Sequence, residues 1–365
     1  MYIENLRIIN FRNYDEAYLK FNKHINLLLG RNGQGKTNIL EAIYMLSIGK
    51  SFRTNKDGEI VKFGKENSYI GGSYVKYSRN NTIEIGLRKN NKKGIKINKV
   101  SIDKIGHILG KFNVVVFSPE DLRLVKEGPS ERRKFIDREI SQIIPKYYNH
   151  LYNYNKILGQ RNKVLKNVNV DAALLDVFDD SLSNEGAWIY IYRRRFVDKI
   201  KMLSKQIHDK LTDGVENLDI KYISQIDIQR DDSHESIKSR FYEKLKNNIQ
   251  SDIMNKVTKI GPHRDDIQII INDLDVKLYG SQGQQRTAAI SLKLSQIELI
   301  NEEVKEYPVV LLDDIFSELD EKRQKLLIDS LGEIQIFITS AEEGHKKIFE
   351  DKQYDIFRVE NGQIS

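Results

Sequence analysis

An α/β fold with a mainly helical lobe inserted between two parts of a sheet-bearing domain is the architecture this sequence predicts, on three observations. Ile25 to Leu29 is a short apolar run that ends in the glycine loop Gly30-Arg31-Asn32-Gly33-Gln34-Gly35-Lys36-Thr37, and Ile39, Leu40, Ile43 and Leu46 then follow helical spacing. Far downstream, Val309-Val310-Leu311-Leu312 is a second apolar run, closed by Asp313-Asp314. Between them, from about Pro119 to about Asp213, helical patterns dominate with few turn signals.

Tyr2 to Asn10 alternates apolar and polar residues, and Phe11-Arg12-Asn13-Tyr14 makes a turn before a strand near Ala17 to Phe21. Tyr69 to Tyr77, Thr82 to Arg88 and Ile95 to Val100 read as an antiparallel meander, with turns at Arg79-Asn80-Asn81 and Asn90-Asn91-Lys92-Lys93-Gly94. Asn113 to Phe117 is an apolar strand stopped by Ser118-Pro119-Glu120-Asp121. Helices are expected over Ser130 to Ile144, Pro145 to Lys166 and Ala172 to Ser204 and onward. Leu218 to Gln229 turns strand-like, Ser236 to Asn255 is helical, and Ile267 to Tyr279 suggests a hairpin around Asn272-Asp273. A helix bearing Ala288, Ile290, Leu292, Leu294, Ile297 and Leu299 follows; Val309 to Leu312 and Ile334 to Thr339 then read as buried parallel strands.

The 365 residues suffice for two or three domains with a substantial core. Charged residues make up 30% of the chain and no apolar run is long enough to cross a bilayer, so a non-membrane protein is expected. The first ten residues alternate like a strand and include Glu4 and Arg7, unlike a signal peptide; with no cysteine, neither a disulfide framework nor a thiolate metal site is available. A cytoplasmic location is the expectation. The net charge of +7 favours a polyanionic partner, although a solvated basic surface accounts for it equally well.

The glycine loop fits the phosphate-loop pattern without a gap, and it stands in the required order of strand, loop and helix. Glycines at 30, 33 and 35 admit torsions that turn successive amides inward, and the following helix start adds attraction for an anion. Gly30, Arg31, Asn32, Gly33, Gln34, Gly35, Lys36 and Thr37 are therefore the candidate nucleotide-binding residues. Lys36 would lie against the β- and γ-phosphates of a triphosphate such as ATP, and the Thr37 hydroxyl would ligate Mg²⁺. In P-loop proteins the first acid after an apolar strand sits beside the metal, which assigns Asp313 to Mg²⁺ and Asp314 to the attacking water. Taken alone, that strand end could instead be an acidic helix cap, the less favoured reading.

Ser281-Gln282-Gly283-Gln284-Gln285-Arg286 is a polar, glycine-containing stretch immediately before a helix. Its serine hydroxyl and amides make either a second anion-binding helix start or an ordinary cap. Ser-x-Gly-Gln is also the core of the signature motif of ABC-type ATPases, and Ser317-Glu318-Leu319-Asp320 looks like their D-loop. The ordered set of Asn10 to Tyr14, Gly30 to Ala42, Ser118 to Asp121, Pro129 with Arg132, Arg133 and Asp137, Gly261 to Asp266, Ser281 to Arg286 and Leu311 to Asp314 resembles the RecF family, bacterial recombinational-repair ATPases related to Rad50 and the SMC proteins.

That resemblance runs essentially end to end. It implies an ABC-type P-loop ATPase head, with mixed sheets around the phosphate-loop helix and an inserted, mainly helical second lobe. The expected boundaries are an N-terminal ATPase part over 1–117, the helical lobe over 118–304 and a C-terminal ATPase part over 305–365. It further implies a homodimer formed on ATP binding, weak DNA-stimulated hydrolysis, and binding to double-stranded DNA and to single-strand/double-strand junctions. RecR and RecO would be partners in loading RecA at gaps.

In the ABC arrangement a phosphate loop is covered by the signature loop of a second copy, which assigns Ser281, Gly283 and Gln284 to the partner's γ-phosphate. Arg12 and Asn13 are expected to approach the nucleotide or its loop. Thr339-Ser340 occupies the place of the usual switch histidine, the second acid is aspartate rather than glutamate, and Ser118 to Asp121 stands where a Q-loop glutamine is sought. Thr339 thus joins Lys36, Asp314, Ser281 and Gly283 as a candidate catalytic residue, in a site expected to react slowly. The alternatives are a transporter's ATPase subunit, and a DNA-binding scaffold in which ATP only cements the dimer.

Candidate DNA-phosphate contacts are Arg132, Arg133 and Lys134; Arg193, Arg194 and Arg195; and Lys92, Lys93 and Lys96. Tyr147, Tyr148, Tyr152 and Tyr154 are spaced for helix packing rather than base stacking, and His263 reads as a structural histidine.

Overall fold

The structure is a computed structural model. It describes all residues except Asn90, Glu343, His345, Lys346, Lys347, Glu350 and Asp351, and describes Asn91, Lys92, Glu318 and Lys322 by their backbone alone. The expected turn at Asn90 therefore lies in part outside the described residues, as do the side chains of Lys92 and Glu318. The chain divides into two compact units, Met1–Asp121 with Gln296–Ser365, and Leu122–Ser295.

The first unit opens with β1 (Tyr2–Phe11), β2 (Tyr14–Lys20), β3 (Ile25–Leu29) and α1 (Lys36–Ile48), followed by β4 (Asn67–Lys76), β5 (Arg79–Arg88), β6 (Asn91–Ile97), β7 (Val100–Ile102) and β8 (Val114–Phe117). The second unit holds α2 (Arg123–Lys126), α3 (Pro129–Ile143), α4 (Pro145–Val164), the 40-residue α5 (Ala172–Leu211), β9 (Leu218–Ile223), α6 (His234–Asn247), α7 (Ile249–Asn255), β10 (Asp266–Ile271), β11 (Leu274–Asp275) and α8 (Val276–Tyr279). Helix α9 (Gln282–Val304) leaves that unit, and β12 (Val309–Leu312), α10 (Glu321–Leu331), β13 (Ile336–Ser340), β14 (Tyr354–Glu360) and β15 (Gln363–Ile364) complete the first.

Two six-stranded sheets build the first unit, in the orders β2-β1-β4-β5-β6-β7 and β15-β14-β3-β13-β12-β8. The former is the antiparallel meander, and its alternating pattern buries Ile3, Leu6 and Ile8 of β1 and Ile83, Ile85 and Leu87 of β5. In the latter, β14, β3, β13, β12 and β8 run parallel, and β3, β12 and β13 are buried along their full lengths. Helix α1, apolar nearly all round, carries Ile39, Leu40, Ala42, Ile43, Met45 and Leu46 into the core, each at most 2% exposed.

Four expected elements shift. The β4–β5 turn falls at Tyr77-Ser78, both at positive φ, because pairing of Lys76 with Arg79 leaves Arg79 to Asn81 inside β5. Ile95 to Val100 is broken by Asn98-Lys99, also at positive φ, into the β6–β7 hairpin. The strand expected over Leu218 to Gln229 stops at Ile223, which pairs with Asp266, the first residue of β10. Asn272-Asp273 does form the expected hairpin turn, but Asp275 then accepts the amide of Lys277 at 2.8 Å and starts the helical turn α8.

Buried ion pairs hold the second unit together around α4 and α5. Arg161, fully buried, donates to Asp179 at 2.6 Å and Asp252 at 2.7 Å. Arg193 donates to Asp137 at 2.8 Å and to the carbonyl of Pro262 at 2.5 Å, and Arg132 grips Asp266 with two donors at 2.6 and 2.7 Å. Arg132 and Arg193 are thus structural residues and not the DNA-phosphate contacts the sequence suggested; each lies at most 6% exposed. Lys134, Arg194 and Lys93 pair with Glu131, Asp198 and Asp57, Arg133 donates to the carbonyl of Asp265, and Arg195 and Lys96 are exposed. Tyr147 and Tyr154 pack in the core while Tyr152 is exposed; His263 bonds the Tyr154 hydroxyl at 2.7 Å and the Thr258 carbonyl at 3.0 Å. Among the described residues no helix is long and apolar enough to cross a membrane.

Candidate nucleotide-binding site

Strand β3, in the interior of the parallel sheet, delivers Gly30 at its C-terminal end, where the Gly30 amide donates to the carbonyl of Ser340 at the end of β13. The loop then turns back into α1 through Gly35, whose φ of +119° is a left-handed torsion that side-chain-bearing residues avoid. Space adds a second constraint, because a Cβ on Gly35 would lie 2.8 Å from both Asn13 Nδ2 and the Tyr14 hydroxyl. Lys36 folds back over the loop and donates to the carbonyls of Gly30 at 2.5 Å and Arg31 at 3.0 Å. Burial lowers the Lys36 pKa, against the opposing pull of the Asp314 and Asp313 carboxylates.

Asp313 directly follows β12, which lies between β13 and β8, and its amide donates to the carbonyl of Phe117 at 2.8 Å. Its Oδ1 accepts from the Thr37 hydroxyl at 2.8 Å and from the Thr339 hydroxyl at 2.9 Å. Burial raises its pKa, the two hydroxyl donors lower it and the neighbouring Asp314 charge raises it again. Asp314 is exposed, sits at φ +51° and donates its amide to Thr339 Oγ1 at 2.9 Å. Thr339 therefore ties the two acids together from the next strand.

The residues before and after the loop brace it. Asn13 Nδ2 donates to the Gln34 carbonyl at 2.8 Å, Asn38 Nδ2 donates to Asn13 Oδ1 at 2.9 Å, and the Tyr14 hydroxyl donates to the Gly35 carbonyl at 3.1 Å. Arg12 does not reach the loop in this set of bonds. It holds the fully buried Glu41 of α1 with two donors at 2.9 and 2.5 Å and reaches the Glu59 carbonyl at 2.8 Å. Glu41 also accepts from Ser51 at 2.5 Å and pairs with Arg53 at 3.6 Å, while Arg53 donates to Asn38 at 2.7 Å. Sequence reading missed Glu41, whose signal was the lone carboxylate of α1, set among apolar residues beyond its first turn.

These groups fit a triphosphate with a hard cation. A hydroxyl and a carboxylate converge at Thr37 and Asp313, and a lysine folds over a glycine-bearing loop at a helix start. Among the described residues no group of three or more His, Cys, Asp or Glu could hold a metal by itself, so a cation here would need phosphate oxygens as well.

Ser281, Gly283 and Gln284 belong to the second unit. Ser281 Oγ accepts the Gln284 amide at 3.2 Å and Gln284 Oε1 accepts the Ser281 amide at 2.9 Å, a reciprocal capping box that fixes the start of α9. Ser281, Gln282 and Gly283 are exposed, and a Cβ at Gly283 would meet only Ser281 Oγ, at 3.8 Å. In the segment resembling a D-loop, Ser317 donates to the Asp314 carbonyl at 2.7 Å and Asp320 caps α10.

A phosphate loop between buried parallel strands, an acid-ended strand beside it and a capped glycine motif on an inserted unit define a P-loop ATPase head of the class shared by ABC and SMC proteins. The Smc head bound to the C-winged helix domain of ScpA has this fold: it aligns with a TM-score of 0.57 at 16% identity, over 100% of this chain and 96% of that one. The model of the RecF/RecN/SMC N terminal domain family matches residues 2–365. The DNA replication and repair protein RecF of Clostridioides difficile (strain 630) is 60% identical over 364 residues, covering 100% of this chain and 98% of that protein. A solved structure of the recombination mediator protein RecF-ATPrS in the RecFOR pathway aligns with a TM-score of 0.92 at 38% identity, over 100% of this chain and 97% of that one. The chain belongs to the RecF family.

Proposed function

We propose that this protein is an ATP-dependent DNA-binding protein of recombinational repair and replication restart, acting in the cytoplasm. Two copies close on two ATP molecules and clamp DNA at gaps or single-strand/double-strand junctions. With RecR and RecO the clamp promotes RecA loading, and slow, DNA-stimulated hydrolysis releases it. Support comes from family membership, from the relative described with ATPrS in the RecFOR pathway, and from the phosphate-loop geometry. The observation that carries the reading is the exposed Ser281–Gly283 helix start in a chain that also has a complete phosphate loop: one donor surface and one acceptor surface per copy suit a two-fold pair.

In this reading the backbone amides of residues 30–35, those of Arg31, Asn32 and Gln34 among them, cradle the phosphates, and Lys36 contacts the β- and γ-phosphates. Thr37 and Asp313 would hold Mg²⁺, which supplies charge neutralisation at the terminal phosphates when bound. Asp314 orients the attacking water, with Thr339 fixing its backbone. Ser281, Gly283 and Gln284 complete the partner's site, Asn13 braces the loop and Arg12 braces α1. Residues 1–117 and 305–365 serve as the ATPase lobe and 118–304 as the helical lobe. Among the described residues Arg195, Lys96 and Lys134 are the basic candidates exposed for DNA, Lys134 beside its helix neighbour Glu131.

Sedimentation velocity of the full chain with and without ATP and DNA tests the proposal. A shift to a dimer that needs ATP and binds DNA is expected; a monomer under all conditions refutes the clamp.

A further inference from the structure

The turn Asn361-Gly362 between β14 and β15 lies against the phosphate loop, although more than three hundred residues separate them in the chain. Both turn residues adopt positive φ, 47° and 75°, the torsions of a tight two-residue hairpin. Their amides point at a single loop residue. Asn361 N donates to Gln34 Oε1 at 2.6 Å, and Gly362 N donates to the Gln34 carbonyl at 3.2 Å. That carbonyl also accepts Asn13 Nδ2 at 2.8 Å.

A trans peptide is planar, with its C=O and N–H on opposite sides. Holding the Gln34 carbonyl outward with two donors therefore turns the Gly35 N–H the other way, into the concavity of the loop. The Tyr14 hydroxyl does the same for the next peptide through the Gly35 carbonyl. Packing leaves little freedom: a Cβ on Gly362 would lie 2.8 Å from the Asn13 carbonyl oxygen, and one on Gly30 would lie 2.1 Å from the Val359 oxygen.

We propose that the Asn361-Gly362 turn is a positioning element of the phosphate loop, which holds the Gln34–Gly35 peptide in its anion-binding orientation before any nucleotide arrives. The inference rests on reading that loop as the nucleotide site and goes beyond it by assigning part of the affinity to the C-terminal hairpin. Gln34, Asn361 and Gly362 touch no nucleotide through these bonds; they act through the direction of the Gly35 amide.

The test is titration of the full chain with Mg²⁺ and a fluorescent N-methylanthraniloyl ATP. Gly362→Ala should weaken binding about tenfold, and Gln34→Met, which replaces the amide that accepts from Asn361 N by a thioether of similar length, somewhat less. Gly214→Ala is the matched control: it has the same φ (75°), and a Cβ there meets only Asp209 Oδ1, at an ordinary contact distance of 3.6 Å. It should bind within about twofold of the parent while carrying the same left-handed torsion. Hydrogen exchange over residues 30–37 without nucleotide should quicken in Gly362→Ala and Gln34→Met but not in Gly214→Ala. Unchanged affinity in both Gly362→Ala and Gln34→Met, or an equal loss in Gly214→Ala, overturns the inference while the nucleotide reading stands. If Gly362→Ala does not fold, Gln34→Met decides. A parent chain that binds no nucleotide removes the nucleotide reading and this inference with it.

Discussion

The Thr37 hydroxyl donates to Asp313 Oδ1 at 2.8 Å, joining residues 276 positions apart. This bond brings the start of α1 to the end of β12, where a terminal phosphate and its cation would meet. Removing either partner is expected to weaken Mg²⁺-dependent nucleotide binding more than metal-free binding. Titration of Asp313→Asn with and without Mg²⁺ measures this, and equal losses under both conditions would exclude a metal role.

Lys36→Arg should fold and retain most nucleotide binding but lose turnover by about 10²–10³-fold, because a guanidinium cannot occupy the space of an ammonium between the Gly30 and Arg31 carbonyls. Phosphate release beside a binding titration separates the two effects. Turnover at the parent rate would contradict the assignment.

Asp314→Asn should keep the positive-φ backbone, since asparagine tolerates it, and keep the amide bond to Thr339. The variant is expected to bind ATP and dimerise but to hydrolyse poorly, so the ATP-held pair persists. Rapid dissociation of that pair after ATP addition would show that Asp314 is dispensable for turnover.

Glu41→Ala strands Arg12 in a pocket built for an ion pair and leaves Ser51 and Arg53 without their shared acceptor. A loss of about 3–5 kcal/mol is expected, read from urea unfolding. Glu41→Gln, which keeps one acceptor, should lose less. Equal stability of Glu41→Ala and the parent would mean the pair contributes nothing net.

Asp265 and His263 set opposing pH dependences in the second unit. Burial raises Asp265 from 3.8 to about 6 against the nearby Arg193 charge, so between those values the folded state binds more protons and this contribution falls as pH rises. Burial lowers His263 from 6.5 to about 4, so the unfolded state binds more protons there and its contribution climbs with pH. Each is worth on the order of 3 kcal/mol, and in the parent they largely cancel. Asp265→Asn should unmask the histidine, with stability rising from about pH 4.5 to 6.5 more steeply than in the parent. A slope like the parent's, in urea midpoints across that range, would sink the account.

The phosphate loop and its strand and helix were legible because their determinants are contiguous: each glycine, lysine and threonine acts within eight residues of the others. The parallel strands were legible for a similar reason, since burial on both faces writes an unbroken apolar run such as Val309 to Leu312. Arg132 and Arg193 misled because a charge run looks the same whether solvated or buried. Their partners Asp266 and Asp265 stand 134 and 72 residues away. The Tyr77-Ser78 turn misled because cross-strand pairing of buried residues set the register, overriding the turn preference of Asn80-Asn81. Tyr14, Glu41 and Asn361-Gly362 brace the loop through tertiary contacts that no local pattern announces.

Strand β3 lies between β13 and β14, so its neighbours in the sheet are translated more than three hundred residues after it. While a ribosome is still making the chain, Ile25 to Leu29 must wait as an unpaired apolar segment, whereas the whole of Leu122–Ser295 has already emerged. The inserted unit is therefore expected to mature first, and the nucleotide pocket only once β13 and β14 have been made. Protease digestion of stalled nascent chains would reveal this order as early protection of the insert and late protection of the N-terminal strands.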